Sequence, residues 1–193
     1  MFMASNDKEI EIKIPINEKT FNNLKNRLKK IAKFKNSKKQ IDEYYTPKHR
    51  NFVKPKLPYE WLSIRERGDK SILNYKYFHP KNAKVFTHCD EFETEIKGSE
   101  KLKKIFLSLN FKKLITIEKE REIYIYNNEF EISLDKVKDL GLFIEIEALK
   151  NSKNVKKTLK ELFQFAKELN LDISKVDKKG YPYLMMHKKG LIK

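Results

Sequence analysis

The first strongly patterned stretch spans residues 9–16, where apolar and charged side chains alternate. Ile10, Ile12, Ile14 and Ile16 fall on one parity, and Glu9, Glu11 and Lys13 on the other. A period of two is the pattern of a half-buried β-strand. Residues 18–33 change to helical spacing, with Phe21, Leu24, Leu28 and Ile31 on one face and Asn17 as the expected N-cap. A polar connection is expected over 35–39, then a short strand over 40–46 that turns Tyr44 and Tyr45 to opposite faces. Residues 47–60 hold Pro47, Pro55 and Pro58 and read as a loop. Its basic and aromatic residues suit either a mobile lid over an anion or a plain surface excursion.

Strands expected at 61–66 and 71–78 form a hairpin across Gly68-Asp69. Ser63, Arg65 and Arg67 share a face of the first, and Asn74, Lys76 and Phe78 a face of the second. A strand over 89–97 aligns Glu91, Glu93 and Glu95, and Ser99 is placed to cap a helix over 100–110. Three further strands carry similar rows. Lys119 and Arg121 share a parity in 115–126, Glu131, Ser133 and Asp135 in 129–135, and Phe143, Glu145 and Glu147 in 142–149. A helix is expected over about 153–170, then a tail over 178–190 packed through Leu184, Met185 and Met186. Mostly antiparallel strands separated by helices predict a single α+β domain over residues 1–193, its sheet curled toward closure.

The chain has 193 residues and a net charge of +16. Such an excess points to an anionic partner or to a Lys-rich surface, and Lys-Lys pairs scattered along the whole chain fit the second equally well. Aromatic content, with 13 Phe and 9 Tyr, argues against disorder. Cys89 is the only cysteine, which excludes an internal disulfide and a cysteine-based metal site and fits a reducing cytoplasm. No apolar leader or membrane-spanning run is expected. His49, His79, His88 and His187 fit no ligand spacing, and neither a Ser-His-Asp arrangement nor a Gly-rich phosphate loop is visible.

If the aliphatic strand faces pack against the helices, the charged faces converge on a lumen. Its acidic rows would be Glu9/Glu11, Asp135 and Glu145/Glu147; its basic rows would be Arg65/Arg67, Lys76 and Lys119/Arg121. Clustered carboxylates suit a hard divalent cation, Mg²⁺ or Mn²⁺, and clustered Arg and Lys suit phosphate. Together they describe a site for a metal–polyphosphate complex and for metal-assisted phosphoryl or nucleotidyl transfer.

These residues resemble, in order, the motifs of the CYTH family, the triphosphate tunnel metalloenzymes founded on class IV adenylyl cyclases and thiamine triphosphatases. The Glu-x-Glu-x-Lys signature stands as Glu9, Glu11 and Lys13. Arg65, Arg67 and Lys76 follow, then Glu118, Lys119, Arg121 and Tyr124, and finally Tyr181-Pro182-Tyr183-Leu184. The segment from Ser133-Leu134-Asp135 through Leu140 to Glu147 resembles the class IV cyclase branch closely. The resemblance implies a closed eight-stranded antiparallel β-barrel with helices outside and a triphosphate inside. It implies that Glu9, Glu11, Asp135, Glu145 and Glu147 hold divalent metal, joined by Glu93. It implies that Lys13, Arg65, Arg67, Lys76, Lys119 and Arg121 hold phosphate. Two departures are His88-Cys89-Asp90, where a basic residue is expected, and the long proline-rich loop 47–60.

Two reactions fit such a site. A class IV adenylyl cyclase would use metal at Glu9, Glu11 and Glu145/Glu147 to lower the pKa of the ribose 3′-hydroxyl of ATP, which would attack the α-phosphorus. A triphosphatase acting on thiamine triphosphate, tripolyphosphate or a nucleoside triphosphate would direct water onto the γ-phosphorus. In the second, Lys13 paired with Tyr44 would act as base if burial among cations lowers its pKa. A non-catalytic polyanion-binding module is the third reading, disfavoured because the acidic rows would repel a nucleic-acid backbone. The substrate is thus expected to be a nucleoside triphosphate or another triphosphate, with no membrane partner, and the pattern leaves a homodimer open.

Overall fold

A computed structural model describes residues 7–81, 85–149, 154–177 and 179–192. The first residue of the expected helix over 153–170 and the first of the expected tail, residue 178, lie outside the described residues, as do residues 82–84 between the strands expected at 71–78 and 89–97. Nine strands are described: β1 (Lys8–Glu9), β2 (Glu11–Ile16), β3 (Lys33–Pro47), β4 (Glu60–Arg67), β5 (Lys70–His79), β6 (His88–Ile96), β7 (Phe111–Tyr126), β8 (Phe130–Val137) and β9 (Gly141–Ala148). All pair antiparallel, in the order β1-β6-β5-β4-β3-β7-β8-β9-β2. The helices are α1 (Glu18–Ile31), α2 (Ser99–Ser108), α3 (Val155–Glu168) and α4 (Gly180–Lys188).

The ninth strand arises from the way the barrel closes. Its two edges, β1 and β2, are one N-terminal segment interrupted at Ile10. Glu9 pairs with Cys89 of β6, and two residues later Glu11 pairs with Glu147 of β9. The hand-over is hydrogen-bonded on both sides, since Glu91 N donates to Asp7 O at 2.7 Å and Ala148 N to Ile10 O at 3.0 Å. The expected eight-stranded tunnel is therefore present with its first strand split. Closure is nearly complete, and among the described strands β6 beyond Glu91 pairs only with β5.

The aliphatic strand faces point outward. Ile10, Ile12, Ile14, Ile132, Leu134, Ile144 and Ile146 pack under Phe21, Leu24 and Leu28 of α1 and Leu162, Phe165 and Ala166 of α3. Asn17 caps α1 as expected, its side chain accepting from Thr20 N at 2.8 Å. Phe106 of α2 covers Ile64 and Tyr45. Ser99 does not cap α2. It is the first helical residue, and the cap position is Gly98 in the left-handed region, with no side-chain cap bond.

Two elements differ from expectation. Residues 35–39 are not a connection but part of β3, paired to β7 and exposed along most of that length. A strand with water on both faces carries no alternation to read. Residues 180–188 form α4, buried at Tyr181, Pro182, Tyr183, Met185 and Met186, so it lacks the one-sided stripe of a surface helix. Gly180, at φ +79°, turns the chain into it, and Pro182 sits in the first turn, where no backbone N–H is required. This helix packs on Ile115, Ile117, Val137, Phe143, Tyr44 and Trp61, which are apolar side chains at one end of the barrel interior. Val53 and Leu57 of the 48–59 loop join that cluster and Phe52 is buried, so the loop is packed against the plugged end rather than standing off as a lid.

Leu162 is fully buried between α3 and the barrel wall. Leu162→Ala is expected to cost about 2–5 kcal/mol, read as a lower urea midpoint at unchanged slope. A cost below 1 kcal/mol would show that α3 is not an integral wall of this core.

Candidate functional site: a charged lumen

Most residues of the charged rows meet at one cavity of about 290 Å³. Glu9, Glu11, Glu145, Glu147, Glu93, Lys13, Tyr44, Arg65, Arg67, Lys76, Lys119 and Arg121 all line it. Asp135 is placed differently. It is fully buried and accepts from Arg121 at 2.7 and 2.5 Å and from the Tyr181 hydroxyl at 2.8 Å. Its carboxylate backs the lumen wall and orients Arg121.

Strand register interleaves the opposite charges. Arg65 of β4 reaches two strands across to Glu91 at 3.1 Å and Glu93 at 2.7 Å of β6. Lys76 of β5 pairs with Glu9 and lies 3.3 Å from Glu91. Arg121 pairs with Glu145, which also takes Lys13 at 2.9 Å. Burial alone would push the Glu145 carboxyl up, yet Arg121, Lys13 and Lys119 hold it well below the usual carboxylate range.

The carboxylates Glu9, Glu11 and Glu147 form a different neighbourhood, to which the structure adds Glu91. Burial first, then Glu11, Glu91 and Glu147, raise the Glu9 carboxyl well above its ordinary value despite Lys76. Burial, then Glu11, Glu131 and Glu91, push Glu147 up to about 7. Glu11, Glu147 and Glu131 stand directly opposite one another on β2, β9 and β8, an arrangement that destabilises a sheet unless a cation intervenes. Among the described residues no three Asp, Glu, His or Cys side chains already converge as a coordination set, the carboxylates being turned toward lysines and arginines. Their hard oxygen chemistry and mutual repulsion nevertheless fit a divalent cation.

On the facing strands, β3 and β4, donors that suit an anion stand beside the buried Asp42 carboxylate, 3.9 Å from Arg65 Nε. Nε of Arg65 and of Arg67 and the Ser63 hydroxyl are buried and take no hydrogen-bond partner among the described residues. The acceptor oxygens Gln40 Oε1 and Asp42 Oδ1 are in the same condition. Gln40, Asp42, Ser63, Asn74 and Glu91 were not singled out as site residues from sequence, although each shares the lumen parity of a residue that was.

Lys13 does not meet the condition set for it as a base. Burial opposes its charge, but Glu145, Glu11 and Asp177 outweigh burial and hold the ammonium above its ordinary pKa. Its other neighbour is the Tyr181 ring, 4.2 Å away, rather than Tyr44. Tyr44 is pushed up to about 12 by burial and Asp42, so it is a proton donor at neutral pH. The lysine whose charge is weakened is Lys119, through burial and the adjacent Arg121.

Residues 7–181 match the family model of the CYTH domain. The chain belongs to the CYTH family. It is 36% identical over 175 residues to a protein of Methanocaldococcus jannaschii named "putative adenylate cyclase", across 90% of this chain and 95% of that protein. A solved Pyrococcus horikoshii structure shares the CYTH barrel of this chain with TM-score 0.79 at 28% identity, over 93% of this chain and 99% of that one. A Hippeastrum protein, described as an adenylyl cyclase candidate with dominant triphosphatase activity, shares the fold at TM-score 0.64 and 17% identity, over 95% of each chain.

The raised Glu147 carboxyl gives this CYTH lumen a stability signature. Its folded pKa of about 7 exceeds the ordinary 4.5, so its contribution is complete below pH 4.5 and lost as pH rises through 7. In chelator, wild type should lose on the order of 2 kcal/mol relative to Glu147→Gln between those limits, measured by urea unfolding. A difference that is flat with pH, or that grows in the other direction, would remove Glu147 from the carboxylate cluster.

Proposed function

We propose that the protein is a divalent-metal-dependent enzyme of triphosphate substrates, acting as an adenylyl cyclase that converts ATP to cyclic AMP and pyrophosphate. The observation that carries this reading is the composition of the cavity wall. Carboxylates outnumber cationic side chains there, yet the cations are arginine forks and lysines aimed inward. A bare polyphosphate would be repelled by such a lumen, and a bare metal would leave the arginines unmatched. A metal–triphosphate complex answers both sets. Identity to the M. jannaschii protein supports the cyclase over other triphosphate reactions.

In this reading Glu9, Glu11 and Glu147, with Glu91, hold Mg²⁺ or Mn²⁺, and Glu93 and Glu145 flank them. When bound, the cation neutralises phosphate charge and acidifies the attacking hydroxyl. Arg65 and Arg67 leave Glu91 and Glu93 to grip phosphate oxygens with paired donors, Nε included. Lys76 and Arg121 stabilise the charge that develops on the leaving pyrophosphate. Lys13, which keeps its proton, serves as a fixed positive charge. Tyr44 donates a hydrogen bond and does not act as base. Lys119, whose charge burial and Arg121 weaken, is a further phosphate contact. Asp135 and Tyr181 keep Arg121 oriented.

Hydrolysis of the γ-phosphoryl group would use the same contacts with water as nucleophile, so products decide between the two. Purified protein with Mg²⁺ or Mn²⁺ is expected to turn ATP into cyclic AMP and pyrophosphate. Glu9→Ala/Glu11→Ala should lower that turnover by at least about a hundredfold. Orthophosphate from ATP, thiamine triphosphate or tripolyphosphate, lost in the same variant, would replace the cyclase with a triphosphatase. No turnover of any of the three would sink both.

A further inference from the structure

One stretch of the cavity wall is unlike the rest. Where β5 ends and β6 begins, Phe78, Phe86, Thr87 and His88 line the lumen and are half-buried. The Phe78 and Phe86 rings lie 5.2 Å apart between centroids, tilted by 37°. His88 is held from two sides. Its ring stacks on His79 at 4.9 Å and 14°, and its Nδ1 lies 2.9 Å from Thr87 Oγ1. His79 is anchored in turn, with Nε2 2.7 Å from Asp90 Oδ2 and its carbonyl accepting from Thr87 N at 2.8 Å. Burial, then His79 and Lys8, keep the His88 pKa below its ordinary value, so the ring is neutral near pH 7.

Two phenyl rings, a hydroxyl and a neutral imidazole exert little pull on phosphate. They offer instead a surface for stacking and a fixed edge for one or two hydrogen bonds, which is what a flat, uncharged heterocycle presents in return. The wall is continuous with the cations proposed to hold phosphate, so a ligand can reach both at once. The steps assigned above to the lumen residues leave it unused.

We infer that this rim is the subsite for the organic group of the substrate, and that the group is the uncharged heterocyclic base of a nucleoside triphosphate. The inference rests on the triphosphate reading and deepens it. Phe78 and Phe86 supply the stacking surface, and His88, set by His79 and Thr87, supplies the polar edge. The rim therefore separates nucleotides from inorganic tripolyphosphate, whereas the charged lumen treats the phosphates of both alike.

The test is equilibrium calorimetry in Mg²⁺ with methylene-bridged analogues of ATP and of tripolyphosphate, on wild type, Phe86→Ala and His88→Gln. Wild type should bind the ATP analogue more tightly. Phe86→Ala should lower the ratio of the two affinities by roughly tenfold, within the range for losing one stacked base. His88→Gln should lower it in the same direction. Each variant's binding of the tripolyphosphate analogue reports whether its lumen is intact. A ratio unchanged in both variants, or a wild type that binds the two analogues equally, overturns the base subsite and leaves the triphosphate reading standing. A wild type that binds neither analogue overturns the triphosphate reading and the subsite with it.

Discussion

The buried pairing of opposite charges across the lumen is the constraint on which the rest of this barrel depends. An isolated ion taken out of water costs several kcal/mol even after relaxation. Here several such ions have partners on other strands. Arg65 lies between Glu91 and Glu93, Lys13 against Glu145, and Arg121 against Asp135 and Glu145. A one-residue slip in any strand would turn its charges into the aliphatic shell and its isoleucines into the lumen. The pairs thus set register more than they stabilise, since buried pairs roughly break even against their desolvation. Net stabilisation comes from the outer shell, where α1 and α3 cover the isoleucine rows.

That pairing is also what a ligand has to undo. A triphosphate alone would draw the arginines and lysines away from their carboxylates and leave uncompensated anions in a low-dielectric space. A divalent cation alone would leave the converse. Removing one partner of a buried pair typically costs about 3–5 kcal/mol. Either component by itself therefore binds against a large opposing term. On the proposed reading the two together would give the separated ions new partners. Binding of metal and of phosphate to this lumen is accordingly coupled through the protein as well as through their own attraction.

Much of this was legible along the chain, because a period of two sorts residues to faces whatever the tertiary context. The rows through Glu9, Arg65, Lys76, Arg121 and Glu145 were read in this way, and all reach the lumen. What escaped had no such signature. The first half of β3 is exposed along most of its length, so no apolar residue marks it. Helix α4 is buried on most sides and carries a proline, so neither a stripe nor a propensity announces it. Gln40 and Asp42 lie on the lumen parity but are common surface residues, and only their burial at 5% and 3% exposure sets them apart. Lys13 was read as a base on the condition that burial among cations lowers its pKa. It rises because Glu145 at 2.9 Å and Glu11 at 3.6 Å, brought by β9 and by its own strand, together with Asp177 outweigh burial. Sequence parity gives the face a charge is on, and it does not give the distance to its nearest neighbours.

The net charge of +16 belongs to a different part of the molecule from the site. Along the cavity wall carboxylates are in excess, so the positive surplus sits on the outer surface. The two distributions act at different ranges. An outer field of this sign draws polyanions toward the protein over roughly a Debye length, about 8 Å at physiological ionic strength. It does not choose among them. On the proposed reading selection would fall to the lumen, where excess carboxylates disfavour a polyphosphate without divalent cations and the arginines disfavour a metal without phosphate. Surface lysines would on this reading act on the encounter rate, and the smaller charged set inside on what stays.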